Sequence, residues 1–366
     1  YTCAAAHYPF CAATFDAVNK TFTHTWGDAY CSTDLAAYDF MFSTVYETPF
    51  VVDETTTVLP IALTFRPLMA RIGMKLALGA NETPKYVTFT TDDNVLPTAG
   101  TVNADGTFSA SALTNSLTVE TDRKEFTVGL LPVGVASKMS VHVTTTDGMT
   151  YSDKSFQLAG LKRNTHYTMN VPCRTKRYML TVPDGVNSKY GTGTYGDNGF
   201  FQVEPQYDPE SIFDGWHFLR SEIKSDKDAA DGDVLKNRNR IQLQAVSLGT
   251  NRAQNGAFVT PPIQCDGTKT VTVSFTAATN KLTVGSVQYR IGVTNNGADI
   301  SENFLRSFDN IQSSLEGECP WKHSGSVSRT HTFTVTNGQR IMMKVYSSGG
   351  GTPCHLELAD FTYTVE

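Results

Sequence analysis

Leu63-Thr64-Phe65-Arg66-Pro67-Leu68-Met69-Ala70-Arg71-Ile72-Gly73-Met74-Lys75-Leu76 is the stretch on which the reading of this chain turns. From Arg71 onward Ile72, Met74, Leu76 and Leu78 recur at every second position, the period of a strand with one buried face. Val58 to Phe65 alternates in the same way and predicts the strand before it. The pattern then repeats to the C-terminus. Lys85 to Thr90, Phe126 to Leu131, Met139 to Thr145 and Tyr167 to Val171 read as strands in the first half. Asp105-Gly106 and Asp147-Gly148 mark tight turns, and Pro132 and Pro172 end strands. Strands at this spacing predict an antiparallel β-sandwich.

The second half resumes with Arg240 to Leu248, Thr270 to Ala277, Val287 to Val293, Arg329 to Val335, Arg340 to Tyr346 and His355 to Val365. Gly, Asn-Gly or Pro bounds each run. Between the halves, Asp184 to Gly199 holds five glycines with Tyr190 and Tyr195 and reads as a flexible junction. Ser221 to Asn239 is charged and reads as a solvated loop. The expected fold is all-β, with two antiparallel β-sandwich domains: residues 1–172, a junction over 173–200, and a jelly roll over 201–366. At 366 residues the chain exceeds one comfortable core, which agrees with two domains.

Composition narrows the function classes. The chain is 40% hydrophobic and 18% charged, as a soluble globular protein is, and its threonines suit the wet faces of strands. A net charge of −6 argues against a nucleic-acid partner, because phosphate binding needs clustered cations. Arg174-Thr175-Lys176-Arg177 is too short for that role and reads as a linker or solvated edge. No apolar run reaches the roughly 18–20 residues that span a bilayer. The first residue is Tyr1 rather than Met, which predicts a removed upstream segment that could have carried a signal peptide or a lipid-anchoring cysteine. Seven cysteines without Cys-x-x-Cys exclude the usual zinc ribbon. Cys3 with Cys11, or two of Cys265, Cys319 and Cys354, could bridge; buried free thiols are the alternative.

No nucleophile motif, zinc-protease motif, phosphate loop or dinucleotide fingerprint occurs, so no catalytic residue and no cofactor is expected. Asp and Glu pairs are numerous, but nothing marks two of them as glycosidase partners. Asp226 to Asp233 clusters carboxylates as calcium loops do, yet it departs from EF-hand spacing and lacks the Glu ligand. His323 and His331 lack a third ligand, so no metal is expected. Three aromatic residues are candidates for ligand binding. Trp216, beside Gly215, offers a flat ring for a sugar, with a core position as its alternative. Trp321 lies in an expected long loop, and Tyr195 in the junction.

Three pieces of the first half form a further pattern. They are Tyr8-Pro9-Phe10; Tyr38-Asp39-Phe40-Met41 ahead of Ile61-Ala62-Leu63-Thr64-Phe65-Arg66-Pro67-Leu68-Met69-Ala70-Arg71-Ile72; and Leu131-Pro132, Val141, Val143 and Asp147-Gly148-Met149-Thr150-Tyr151, closing at Leu161 and Tyr167. Over about residues 5–171 this resembles the fimbrillin family of β-sandwich pilus subunits and anchors of Bacteroidia. Family members usually carry His at the place of Arg66, and Gly-Lys or Gly-Gln at that of Lys162-Arg163. The resemblance implies a cell-adhesion protein of the fimbrium on the outer membrane, joined to other pilus subunits by strand addition. It also implies membrane attachment only through a lipid anchor, as in a lipoprotein, outside this chain.

In the second half, Ile241-Gln242-Leu243, Gly256 to Ile263, Val271 to Ala277 and Leu356 to Tyr363 resemble galactose-binding-like jelly rolls. These motifs specify core strands rather than a ligand, so the resemblance implies the fold; the domain is expected to be the tip or accessory part that presents loops to a glycan or a host surface protein. Two other readings stand beside it: a secreted carbohydrate-binding accessory protein or glycan-active enzyme, and a purely structural pilus subunit.

Overall fold

The computed structural model describes residues 7–8, 13–38, 40–43, 63–103, 105–180, 187–190, 207–208, 215–224, 235, 238–245, 255–280, 286–295, 297–320, 325–348 and 354–366. These divide into two compact units. Unit one comprises Tyr1–Leu78, Thr83–Thr146 and Thr150–Arg174; unit two comprises Gly79–Glu82, Asp147–Met149 and Thr175–Glu366.

In the first unit the early strands are β1 (His7–Tyr8), β2 (Thr14–Asp16) and β3 (Thr21–Thr25). A short helix α1 (Leu35–Tyr38) precedes β4 (Met41–Ser43) and β5 (Phe65–Pro67). Then come β6 (Ala70–Ala77), β7 (Pro84–Thr91), β8 (Leu96–Val102), β9 (Phe108–Thr114) and β10 (Ser116–Glu120). The last are β11 (Glu125–Leu130), β12 (Ser137–Thr145), β13 (Thr150–Leu158) and β14 (His166–Pro172). Residues 58–62 of the strand expected before Phe65 lie outside the described residues.

Strands β10, β7, β12 and β13 pair in that order, β11 and β14 flank β6, and β2, β3, β8 and β9 form a further sheet. Alternation does what period two requires: Ile72, Met74 and Leu76 are buried while Arg71, Lys75 and Ala77 are exposed. They join Val87, Phe89, Val128, Met139, Val141 and Val143 in one core. Nearly every pair is antiparallel, but β14 runs parallel to β6, His166 opposite Arg71 through Pro172 opposite Ala77. On the wet faces, hydroxyls link strands directly: Thr23 to Thr101 at 3.0 Å, Thr88 to Thr118 at 2.9 Å and Thr144 to Thr150 at 2.9 Å.

The second unit begins with β15 (Lys176–Met179), β16 (Asn187–Tyr190), β17 (Tyr207–Asp208), β18 (His217–Leu219) and β19 (Ser221–Lys224). It continues through β20 (Arg240–Ala245), β21 (Ala257–Val259), β22 (Thr268–Asn280) and β23 (Ser286–Val293) to helix α2 (Glu302–Arg306). Strands β24 (Gln312–Pro320), β25 (Val327–Thr336), β26 (Ile341–Ser348) and β27 (Cys354–Val365) complete it. β15 and β16 thus fall within the stretch expected as a junction. β19 falls within the expected solvated loop, where Ser221, Glu222 and Ile223 are buried instead.

One sheet of this unit runs β17-β18-β21-β26-β23-β24. In the other, β27 pairs with β22 along one edge and with β20 and β15 along the other. Side chains of both sheets share one core of Trp216, Phe258, Phe275, Ile291, Met343, Leu356 and Phe361. This is the jelly roll. Unit two also buries Lys176, whose Nζ lies 2.9 Å from Glu82 and 2.7 Å from Asp147.

Edge strand β24 carries one backbone position fixed by packing. A Cβ on Gly317 would lie 2.1 Å from Tyr289 Cζ, so the buried Tyr289 ring occupies the place of a side chain. The Tyr289 hydroxyl meets His331 Nε2 at 3.0 Å. Gly317→Ala should therefore destabilise the second unit by about 1–3 kcal/mol, the usual cost of overpacking. That outweighs the ~0.5–1 kcal/mol that alanine gains over glycine in a strand. Urea denaturation measures the difference, and an unchanged midpoint would refute the assignment.

Candidate functional site

Strand β14 pairs on one side only, with β6, among the described residues. Its outer edge therefore presents the backbone groups of an unpaired strand. Tyr167 and Met169 point half-buried toward the core, while His166, Thr168 and Asn170 are exposed. Beside this edge lies a cavity of about 540 Å³. Ile72 and Met139 line it from the buried side, Lys154, Phe156 and Leu158 of β13 form one wall, and Tyr167 and Met169 the other.

The groove is closed at one end by the connection between its walls. Val133 and Leu161 exchange backbone hydrogen bonds at 3.1 and 2.9 Å, and the Lys162 amide donates to the Tyr167 hydroxyl at 3.0 Å. Gly160 permits that closure, because its φ is +127° and a Cβ there would stand 2.9 Å from the Val133 carbonyl. The charged end of Lys154 sits 5.9 Å over the Phe156 ring, so the wall is apolar along its length with a cation at its rim. An unpaired edge beside a partly apolar groove has the geometry that strand addition uses, in which an extended chain pairs with the edge and sets side chains into the groove.

Of the three aromatic residues expected to bind ligand, Trp216 is the one among the described residues, and it does not line this groove. Trp216 is 2% exposed. Its ring lies 5.7 Å from Phe218, 5.6 Å from Phe258, 5.9 Å from Phe361 and 5.2 Å from Tyr178. Gly215 precedes it as a turn of φ +75°, so the chain bends to bury the ring, and no ring face is left for a sugar. Trp321 and Tyr195 lie outside the described residues, as do His323 and the Asp226–Asp233 cluster. Cys265 and Cys319 are in no disulfide, so no pair among Cys265, Cys319 and Cys354 bridges; Cys31 and Cys173 are in none either. Burial pushes the Cys319 thiol up to about 11, which keeps it protonated and unreactive at neutral pH.

Among the described residues no three His, Cys, Asp or Glu side chains are grouped to hold a metal ion. No helix among them is long and apolar enough to cross a membrane. The buried carboxylate Glu357 is held by Gln242 Nε2 at 2.6 Å and Arg240 Nη1 at 3.4 Å. Lys344 is a charge that sequence reasoning missed, because Ile341 to Val345 looks like an ordinary apolar strand. Its Nζ donates to the Asn255 carbonyl at 3.0 Å and lies 5.2 Å over the Phe308 ring. Burial, then Arg306 and Arg220, lower it from its ordinary 10.5 to about 7.

A family model described as fimbrillin-like matches residues 3–185, half of the chain. A search of curated proteins gives no match. Among solved structures, a candidate cell adhesion protein from Bacteroides uniformis is 16% identical with a TM-score of 0.33, covering 46% of this chain and 66% of that one. A second, from Bacteroides ovatus, is 22% identical with a TM-score of 0.31, covering 46% and 61%. The chain thus spans about two thirds or less of the length of these two proteins. The C-terminal CBM6 of a marine laminarinase from Zobellia galactanivorans is 9% identical with a TM-score of 0.24, covering 41% and 90%.

Two measurements check this account. Trp216→Ala should cost about 3–5 kcal/mol, the range for truncating a buried tryptophan, so any effect it has on ligand binding should track lost folding. Lys344 supplies a pH test. Between about 7 and 10.5 the unfolded chain binds the proton that the folded chain releases, so stability rises with pH across that window. Lys344→Met should stabilise most below pH 7, with the gain shrinking toward pH 10. A pH-independent difference in denaturation midpoint would refute the burial of a charge.

Proposed function

The chain belongs to the fimbrillin-like family, and from that premise we propose that it is a cell-surface fimbrial adhesion protein whose first unit joins a neighbouring subunit by accepting one of its strands. The observation that carries this reading is the groove beside β14. Its backbone edge is unpaired on one side among the described residues, and Ile72, Phe156, Leu158, Tyr167 and Met169 give the groove beside it apolar surface for an added strand's side chains. Main-chain hydrogen bonds supply affinity, and the positions of Phe156, Tyr167 and Met169 supply register, because a one-residue slip would turn the donor's apolar side chains outward.

The second unit is the part presented to the surroundings, holding a glycan or a host surface protein. Trp321 and Tyr195 belong to that reading as candidate contacts, and Trp216 supports their domain from inside its core. No catalytic step is assigned. Attachment to the outer membrane would come through a lipid anchor outside this chain.

Met169→Arg tests the joining step. Met169 is only partly buried, so the isolated protein should keep its midpoint of denaturation within about 1 kcal/mol. A charge in the groove should nevertheless abolish the polymer ladder and visible fibres of cells that carry the protein. Normal fibres from the folded variant would remove β14 as the accepting edge.

A further inference from the structure

The six-stranded sheet of the second unit carries a small polar cavity of about 200 Å³ on its outer face. Gln288, Glu316 and Glu318 line it, and Arg290 adjoins it through Glu316. Gln288 stands opposite Glu318, and Arg290 opposite Glu316, all on the face away from the core. The floor is completed by an irregularity in β26: Gln288 pairs with Ser347 and Tyr289 with Val345, so Tyr346 is the extra residue of a bulge. Bulges re-aim a side chain, and this one lays the half-buried Tyr346 ring along the cavity.

The polar groups are fixed before any ligand arrives. Arg290 Nη2 donates to Glu316 Oε1 at 2.9 Å, and the guanidinium lies 5.4 Å from the Phe308 ring and 5.7 Å from that of Tyr346. The Arg290 Nε donor is buried with no hydrogen-bond partner.

We propose that this cavity binds one neutral pyranose ring of a glycan, stacked on Tyr346 and hydrogen-bonded by Gln288, Glu316 and Glu318, with Arg290 beside Glu316. The chemistry selects among ligand classes. A cation would be drawn by the two carboxylates but would meet Arg290. An anion would meet both carboxylates. A hydroxyl both donates and accepts, so a ring bearing several of them uses the whole set. Its C–H face suits the Tyr346 ring. The volume lies below the ~300–1,000 Å³ of sites that enclose drug-sized ligands, which fits one ring with its neighbours outside. The inference rests on the reading of the second unit as glycan-holding and names where the sugar sits.

The purified full chain, tested against an array of neutral and acidic oligosaccharides together with lysine-rich peptides, checks it. Neutral glycans should bind, and the affinity should fall at least tenfold in Tyr346→Ala. It should fall likewise in Glu318→Gln, an exposed change that leaves the fold intact. Thermal midpoints read in parallel separate lost binding from lost folding. Neutral-glycan binding that survives both changes but is lost in Trp321→Ala would overturn this site while leaving the glycan-holding reading in place. Binding of acidic glycans or lysine-rich peptides alone would overturn the pyranose assignment. No glycan binding by the folded wild type would overturn both, and the fibre assay on Met169→Arg would still stand by itself.

Discussion

A strand has two faces and two edges, and a sandwich satisfies all four only when each edge is paired, covered or guarded. This constraint governs the first unit. The faces are settled by alternation: Ile72, Met74, Val87, Phe89, Val141 and Val143 all turn inward. The edge of β14 is the place where pairing stops. Tyr167 and Met169 stand only half-buried there. An edge that is long and flanked by apolar pockets is ordinarily a hazard. In a subunit that must join another, the same geometry supplies the joint.

The second unit solves the problem differently. Its two sheets enclose an aromatic core in which Trp216, Phe218, Phe258, Phe275 and Phe361 contact one another as stacked and edge-to-face pairs. Such pairs contribute about 0.5–1.5 kcal/mol beyond the area they bury. The core extends to the edge strand, where Tyr289 takes the room that Gly317 leaves. On the outer face of β23, β24 and β26, Arg290 links Glu316 by a hydrogen bond and lies against the Tyr346 ring.

Much of this was legible in the sequence. Period-two alternation located β6, β12 and β23 because each has one wetter and one dry face, and β27 by its alternation over 361–365, while its 355–359 half is buried on both faces. The groups at Tyr38–Met41 and Ile61–Ile72 pointed to the family that the fimbrillin-like match supports. Trp216 was not legible, since a tryptophan beside glycine reads the same whether the turn exposes the ring or folds it inward. Ser221 to Ile223 looked solvated because its polar residues are buried by tertiary packing, which local composition does not encode. The Tyr346 cavity was hidden for a related reason. It depends on a bulge and on registers between strands, and Glu316, Glu318 and Gln288 are ordinary strand-surface residues until pairing brings them together.

The threonine pairs that lace the wet faces have a consequence of their own. Thr23 with Thr101, Thr88 with Thr118, and Ser274 with Thr330 tie neighbouring strands through uncharged hydroxyls rather than through ions. Counterions screen exposed charge pairs over about 8–10 Å at moderate ionic strength, but they have no purchase on neutral dipoles in contact. These hydroxyl links therefore hold equally in dilute and in briny surroundings, whereas the exposed cross-strand pairs Lys75–Glu125 and Arg290–Glu316 weaken as salt rises.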